Sequence, residues 1–380
     1  MIPVTALDYR RLAARRLPRF LFDYIDGGSG EETSLARNVE DLRAICLRQR
    51  VMRDVGDVDP STRLAGEAAA MPLVLAPVGL TGMFRRRGEV QAARAARTAG
   101  VPFTTSTVGI CAVEEVNRGS GVPAWFQLYM LRDRDIVLAM LERARQAGSS
   151  TLVFTVDLAV TGKRFRDDRN GMLGGGLYGR LSKAVQLLTR PLWLWDVGIR
   201  GRPHAFGNLR GVTAAANDLD AFKQFLDDQF DPTVTWRDIG WLRAQWPGRL
   251  LIKGVMCADD ARAALDAGAD GVVVSNHGGR QLEGVSSTVA QLPGIVDAVA
   301  AQGEVYMDGG IRSGVDIVRA VALGADGVLA GRPWVWALAA RGERGVADLL
   351  AVWRAEIEVT MALMGVRRIA ELDPALIERP

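Results

Sequence analysis

Cysteine and histidine are scarce in this 380-residue chain, which holds three of the first and two of the second. Cys46, Cys111 and Cys257 are odd in number, widely spaced and form no CxxC pair. That excludes a disulfide framework and a metal knuckle, and it fits a reducing compartment. No metal site is expected. Charge of one sign is also missing in excess: the formal balance is +3, which gives no case for nucleic-acid binding. No uninterrupted apolar run approaches the ~18 residues of a membrane span. The opening residues Met1–Asp8 lack a basic region followed by an apolar run, so no secretory signal is expected. The expectation is a cytoplasmic protein that could still touch a membrane surface. No GxGxxG follows the first strand-like run, which disfavours a dinucleotide-binding sheet.

What is present is a full core, with 48% hydrophobic residues and a length suited to one large α/β barrel or two ordinary domains. Short β-rich apolar runs recur at Leu73–Pro77, Phe103–Thr107, Trp125–Met130, Leu152–Asp157, Leu250–Val255, Gly271–Ser275, Val305–Gly309 and Gly327–Gly331. Between them lie segments with apolar residues at three- and four-residue spacings, such as Gly88–Ala99, Arg132–Ala147, Ala258–Ala267 and Gly314–Leu323. Glycines at 100, 148, 268 and 324 close several of these before the next strand. Eight alternating units predict a (β/α)₈ barrel. Residues 1–70 are expected as a helical lead-in, with helices at Asp8–Leu17 and Gly30–Leu42. The barrel is expected over 71–340 and a C-terminal helical region over 341–380. Residues 167–235 form an insertion after the fourth strand, and connections that long are usually functional.

The most informative stretch is Ser275-Asn276-His277-Gly278-Gly279-Arg280-Gln281, a glycine-rich loop opening from the sixth strand. An imidazole takes a proton near neutral pH, and a guanidinium grips a carboxylate with two parallel hydrogen bonds. His277 and Arg280 therefore suggest acid/base chemistry on a carboxylate-bearing substrate. After the seventh strand come Asp308-Gly309-Gly310-Ile311-Arg312, and after the eighth Gly331-Arg332. Barrels often hold a phosphate in these two loops. Earlier strand ends carry Ser106, Gln127, Tyr129, Thr155 and Asp157, polar groups that a strand end in the core must satisfy. A polar ring such as an isoalloxazine would partner them. Lys253, ending the fifth strand, could set its ammonium where negative charge collects on flavin reduction. Asp157 could hold the protonated form of His277.

Together with Asp23-Tyr24-Ile25-Asp26-Gly27-Gly28, Ala76-Pro77-Val78-Gly79 and Trp125-Phe126-Gln127-Leu128-Tyr129, these motifs make the chain resemble the FMN-dependent L-2-hydroxy acid oxidases and dehydrogenases over nearly its whole length. Phe20–Tyr24, Leu47–Arg50 and Leu75–Leu80 are most similar to the quinone-linked, membrane-associated bacterial L-lactate dehydrogenases, with mandelate dehydrogenase next. The resemblance implies FMN on Ala76, Pro77 and Val78 by backbone, and on Ser106, Gln127, Thr155, Lys253 and Ser275 by side chain. It implies the phosphate end at Asp308, Gly309, Gly310, Arg312, Gly331 and Arg332. It assigns the substrate carboxylate to Arg280 and Tyr24 with Arg164 nearby, the 2-hydroxyl to Tyr129, and the base to His277 with Asp157 orienting it. Tetramers are common in the family.

Gly79 stands where the oxidases typically carry alanine, so the resemblance favours a dehydrogenase over an enzyme using O₂. Leu177–Trp195 mixes leucines, Arg180, Lys183 and the tryptophans 193 and 195. Such a segment suits an anionic bilayer surface, here the inner face of the cell membrane, with a lipid-dissolved quinone in reach. L-Lactate is the expected substrate. Asp157–Gly162 is similar to mandelate dehydrogenase and Gly109 leaves room, so L-mandelate is the alternative. His204 is expected in a loop, and Trp236, Trp241 and Trp246 as packing residues.

Overall fold

The computed structural model describes residues 2–170, 184–202, 204–211 and 228–378. Eight parallel strands run Leu73–Leu75 (β1), Thr104–Ser106 (β2), Trp125–Leu128 (β3), Thr151–Thr155 (β4), Arg249–Val255 (β5), Gly271–Val274 (β6), Glu304–Met307 (β7) and Gly327–Ala330 (β8). Each strand pairs with its sequence neighbour, and β8 pairs with β1. A parallel bridge from Leu75 to Phe103 joins the first strand to the start of the second and closes the ring. The barrel read from the alternating pattern is thus the observed fold, and each of the eight apolar runs contributes one strand.

Alternation within the strands sorts the core into two layers. Val74, Trp125, Val153, Leu251, Val273, Tyr306 and Leu329 point inward and fill the barrel. Their neighbours, among them Leu73, Phe126, Leu152, Ile252, Val272 and Val328, point outward into the helical shell. A hairpin of Thr62–Leu64 and Glu67–Ala69 seals the N-terminal end, contributing Leu64, Ala65 and Ala69 to the inner layer. The Ala65 amide donates to the Tyr306 hydroxyl at 2.8 Å. With that end plugged, the barrel opens at its C-terminal strand ends, where barrels bind their ligands.

Three helices precede the barrel: Ala6–Arg16 (α1), Arg19–Asp26 (α2) and Thr33–Ala44 (α3). A Thr5/Asp8 capping box starts α1, and Pro18 separates it from α2, as each residue type favours. These helices do not merely lead in. The Ser29 amide donates to the Gly279 carbonyl at 2.8 Å, and that of Gly30 to the Lys163 carbonyl at 2.9 Å. The lead-in thereby lies across the open mouth of the barrel.

Candidate active site

The polar strand ends meet in two arcs. In the first, the Ser106 hydroxyl donates to Gln127 Oε1 at 3.1 Å, and Gln127 Nε2 donates to Thr155 Oγ1 at 3.1 Å, joining β2, β3 and β4. In the second, Lys253 Nζ donates to Ser275 Oγ at 2.7 Å and lies 2.9 Å from Asp308 Oδ2, joining β5, β6 and the loop after β7. Ala76 and Val78 face Gly331 across the closure. Burial alone would lower the Lys253 pKa, but Asp308 and Asp157 outweigh it and hold the group above the ordinary lysine range. An ammonium is therefore fixed in the floor of the mouth.

His277 stands over that floor. Its backbone lies in the left-handed region at φ 56°, followed by Gly278 at 63° and Gly279 at 72°. A side chain at 279 would strike the Leu35 backbone nitrogen at 2.5 Å. The two glycines let the loop reverse against α3, and the histidine carries the strain. His277 Nδ1 lies 2.8 Å from Asp157 Oδ1. The carboxylate gets this close because β5 bulges between Lys253 and Val255. Gly254, at φ 114°, has no Cβ to meet that of Asp157 at 2.8 Å. Burial pushes the His277 pKa below its usual value, with Asp157 opposing it. Burial would raise the Asp157 pKa, but the histidine charge and hydrogen bond carry it below the usual carboxylate range. The pair is poised as neutral imidazole beside a carboxylate, with Nε2 left for chemistry.

Around the base the site is rich in cations. Arg280 lies 5.0 Å and Arg164 5.9 Å from the centre of the Tyr24 ring. Arg280 donates to the carbonyl of Gly27 at 3.0 Å, and Arg332 to the same oxygen at 2.8 Å. Arg312 stacks 5.1 Å from the Trp336 ring. Among the described residues no carboxylate pairs directly with Arg280, Arg312 or Arg332. Desolvation, with neighbouring arginines, lowers Arg280 and Arg332 to about 9, and desolvation lowers Arg312 to about 10. Among the described residues, buried Arg332 Nε and Asp308 Oδ1 have no hydrogen-bond partner. Guanidinia held under such a penalty call for anions. Their two groups, Arg280 with Arg164 and Arg312 with Arg332, fit two of them.

The expected residues just described border this mouth, but several that build it were not anticipated. Asn38 on α3 and Asn276 exchange amide hydrogen bonds at 2.8 and 2.9 Å. Gln281 Nε2 donates to the carbonyls of Asp157 and Val160. Arg166 joins Asp26 at 2.8 Å and also pairs with Glu32, tying the segment after β4 to α2. Asp167 is buried beside Arg164, 3.7 Å away, and burial raises its pKa. Sequence carried no signal for them, since the burial of Asn38 in its helix is visible only in the fold. Two readings need correction. Trp193 is not interfacial: it is buried and donates its indole N–H to the Met83 carbonyl at 2.8 Å. Gly109 opens no space, since its missing Cβ would lie 3.2 Å from the Ser106 carbonyl oxygen and 3.3 Å from that of Cys111. Arg180 and Lys183 lie outside the described residues.

The fold and the site define a barrel enzyme that binds a phosphorylated cofactor with a hydrogen-bonding ring and does acid/base chemistry on a small carboxylic acid. The chain belongs to the FMN-dependent dehydrogenase family, whose model matches residues 13–379. It is 54% identical over 377 residues to an L-lactate dehydrogenase of Caulobacter vibrioides, covering 99% of this chain and 98% of that one. It is 51% identical over 373 residues to an L-lactate dehydrogenase of Pseudomonas aeruginosa, covering 98% and 97%. Among solved structures it superposes on the monotopic membrane protein (S)-mandelate dehydrogenase with a TM-score of 0.93 and 34% identity, covering 100% of both chains. A mandelate oxidase with (S)-4-hydroxymandelic acid gives 0.85 at 38% identity, covering 99% and 98%. FMN is the cofactor of the family, and the unpartnered Arg332 and Asp308 atoms, the lysine floor and the polar strand ends fit it.

Proposed function

We propose that this chain oxidises L-lactate to pyruvate and passes the electrons to a membrane quinone. The observation that carries the reading is the His277–Asp157 pair set beside Arg280, Arg164 and Tyr24, with no carboxylate among the described residues engaging Arg280 directly. Arg280 and Arg164 would grip the substrate carboxylate, and Tyr24 and Tyr129 would bound the reacting carbon and its hydroxyl. His277 would take a proton through Nε2 while Asp157 stabilises the imidazolium that results. Ser106, Gln127, Thr155, Ser275 and Lys253 would hold the flavin ring, and Gly310, Arg312, Gly331 and Arg332 its phosphate. FMN supplies, when bound, the two-electron acceptor. Lys253 would stabilise charge delivered to it.

Lactate is favoured over mandelate by the L-lactate dehydrogenase names of relatives at 51–54% identity, and by the packed surroundings of Gly109. A dehydrogenase with a quinone acceptor, rather than an oxidase, agrees with Gly79, where an added Cβ would lie 2.5 Å from Val108 Cγ2.

Association with the membrane surface is supported by an exposed apolar row. Val185, Leu188, Leu192, Trp195 and Ile199 recur at three- and four-residue spacings and are 53–74% exposed. Burying each in a bilayer contributes roughly 1.5–3 kcal/mol. Among the described residues no helix is long and apolar enough to cross a membrane. The deciding experiment mixes the holoenzyme anaerobically with L-lactate and, separately, L-mandelate, and follows flavin bleaching by stopped flow. Fast bleaching by lactate, slow recovery in air and rapid recovery with a soluble quinone are expected. Bleaching by mandelate alone would reverse the substrate assignment, and fast recovery in air would reverse the acceptor.

A further inference from the structure

A groove of about 470 Å³ lies on the far side of α2 from Tyr24, between α1, α2 and Phe165–Asn170. Its lining holds five arginines, at 10, 11, 19, 166 and 169, against one carboxylate, Asp23. Carboxylates beside and behind the wall orient these guanidinia without covering them. Arg10 gives Nε and Nη2 to Asp26, Arg19 gives Nε to Asp23 at 2.7 Å, and Arg11 gives Nη1 to Asp8. The outer N–H edges of Arg11 and Arg19 stay open. Arg169 has no carboxylate partner among the described residues and rests 5.8 Å from the Phe165 ring. A row of preset donors of this kind suits a phosphate group.

The groove adjoins the exposed apolar row. Arg19 on its rim precedes Phe20, whose amide donates to Gln186 Oε1 at 2.9 Å, between Val185 and Leu188. Arg190 donates to the Leu17 carbonyl at 2.9 Å, at the corner between α1 and α2. We propose that the groove binds the phosphodiester headgroup of an anionic membrane phospholipid whose acyl chains lie along Val185, Leu188, Leu192 and Trp195. This rests on the membrane-surface reading above, and adds to it a headgroup site built from the lead-in helices. Arg166, which also clamps Asp26 and Glu32, would link the occupied groove to the helix that carries Tyr24.

The test is co-sedimentation of the holoenzyme with phosphatidylcholine vesicles, pure or mixed with phosphatidylglycerol. It compares wild type, R19Q/R169Q and a charge-matched control, R200Q/R202Q, whose arginines are exposed but lie outside the groove. Flavin content and substrate-dependent bleaching, unchanged in all three, report correct folding. Wild type should prefer the mixed vesicles. R19Q/R169Q should lose about fivefold of that preference per arginine, the equivalent of ~1 kcal/mol each, and the control markedly less. Equal losses in the two variants would overturn the groove in favour of diffuse attraction. Equal wild-type binding to both vesicles would overturn the groove and leave the membrane reading intact, whereas no binding to either would remove both. Calorimetry with inorganic phosphate and glycerol 3-phosphate should give no saturable signal. A saturable signal lost in R19Q/R169Q would make a soluble phosphate ester the occupant and overturn the lipid.

Discussion

His277 accepts left-handed backbone strain and a buried, proton-poor environment, and both fit the proposed role, which needs the group neutral before it acts. Its folded pKa lies below the usual ~6.5, so the protonated, inactive form grows in only below that pH. Flavin reduction should therefore lose rate on the acid side, with a limb under pH ~6.5. Replacing Asp157 by Asn removes the group that opposes burial. The limb should then move to lower pH while the plateau rate falls, because the imidazolium formed in the reaction loses its counter-charge. A limb that stays in place in D157N would exclude this coupling. For His277→Gln the expectation is loss of substrate-dependent bleaching with the flavin still bound, since the lysine floor and the phosphate arginines are untouched. Residues such as His277, Arg280, Lys253 and Arg312 were legible in the sequence because each follows an apolar run that ends in a polar or glycine-rich turn. Asn38, Arg166 and Gln281 were not. Their partners lie over a hundred residues away, and a lone polar residue on a helix looks the same whether it faces solvent or another amide.

At the scale of elements, the strands were readable because each barrel strand is buried on both faces and so forms a short continuous apolar run. Gly88–Ala99 was readable to the residue because Gly100 takes the left-handed stop. The sealing hairpin and the Leu194–Ile199 turn of π-helix carry no comparable periodicity. Nor does sequence tell that α2 and the segment after β4 act as one unit. That unit depends on Arg166, which holds Asp26 and Glu32 and lies 3.8 Å from Asp23. Tyr24 and Arg164 sit on its two halves. Arg166→Ala should separate them and raise KM for the hydroxy acid about tenfold or more, with a smaller fall in kcat and unchanged flavin content. Hydrogen bonds to charged groups are worth about 1.5–3 kcal/mol each. Steady-state kinetics distinguishes this from simple destabilisation, which would lower flavin content and kcat instead.

For the molecule as a whole, one end of the barrel is sealed by packing and the other by helices that also reach the exposed apolar row. The chemistry and the proposed membrane contact would thereby lie on opposite sides of the same short lead-in. Leu188 and Trp195, 74% and 59% exposed, belong to neither the core nor the site. Exchanging both for Ser should shift the enzyme from vesicle pellet to supernatant, at least tenfold in partitioning, with bleaching by substrate unaltered. Retention in the pellet would mean that another surface does the anchoring.

The amides of Asn38 and Asn276 join the lead-in to the loop that carries His277 by exchanging one bond in each direction. Each also holds backbone: Asn38 Oδ1 accepts from the Thr288 amide, and Asn276 accepts from the Gly279 amide and donates to the Ser286 carbonyl, so the pair pins three turns at once. Changing Asn276 leaves the buried Asn38 Nδ2 without its acceptor, and changing Asn38 takes an acceptor from the Thr288 amide, at about 1–3 kcal/mol in either case, beside the loop that carries His277. The cost of a change at either position therefore spreads to Thr288, Gly279 and Ser286, the backbone neighbours that share these amides.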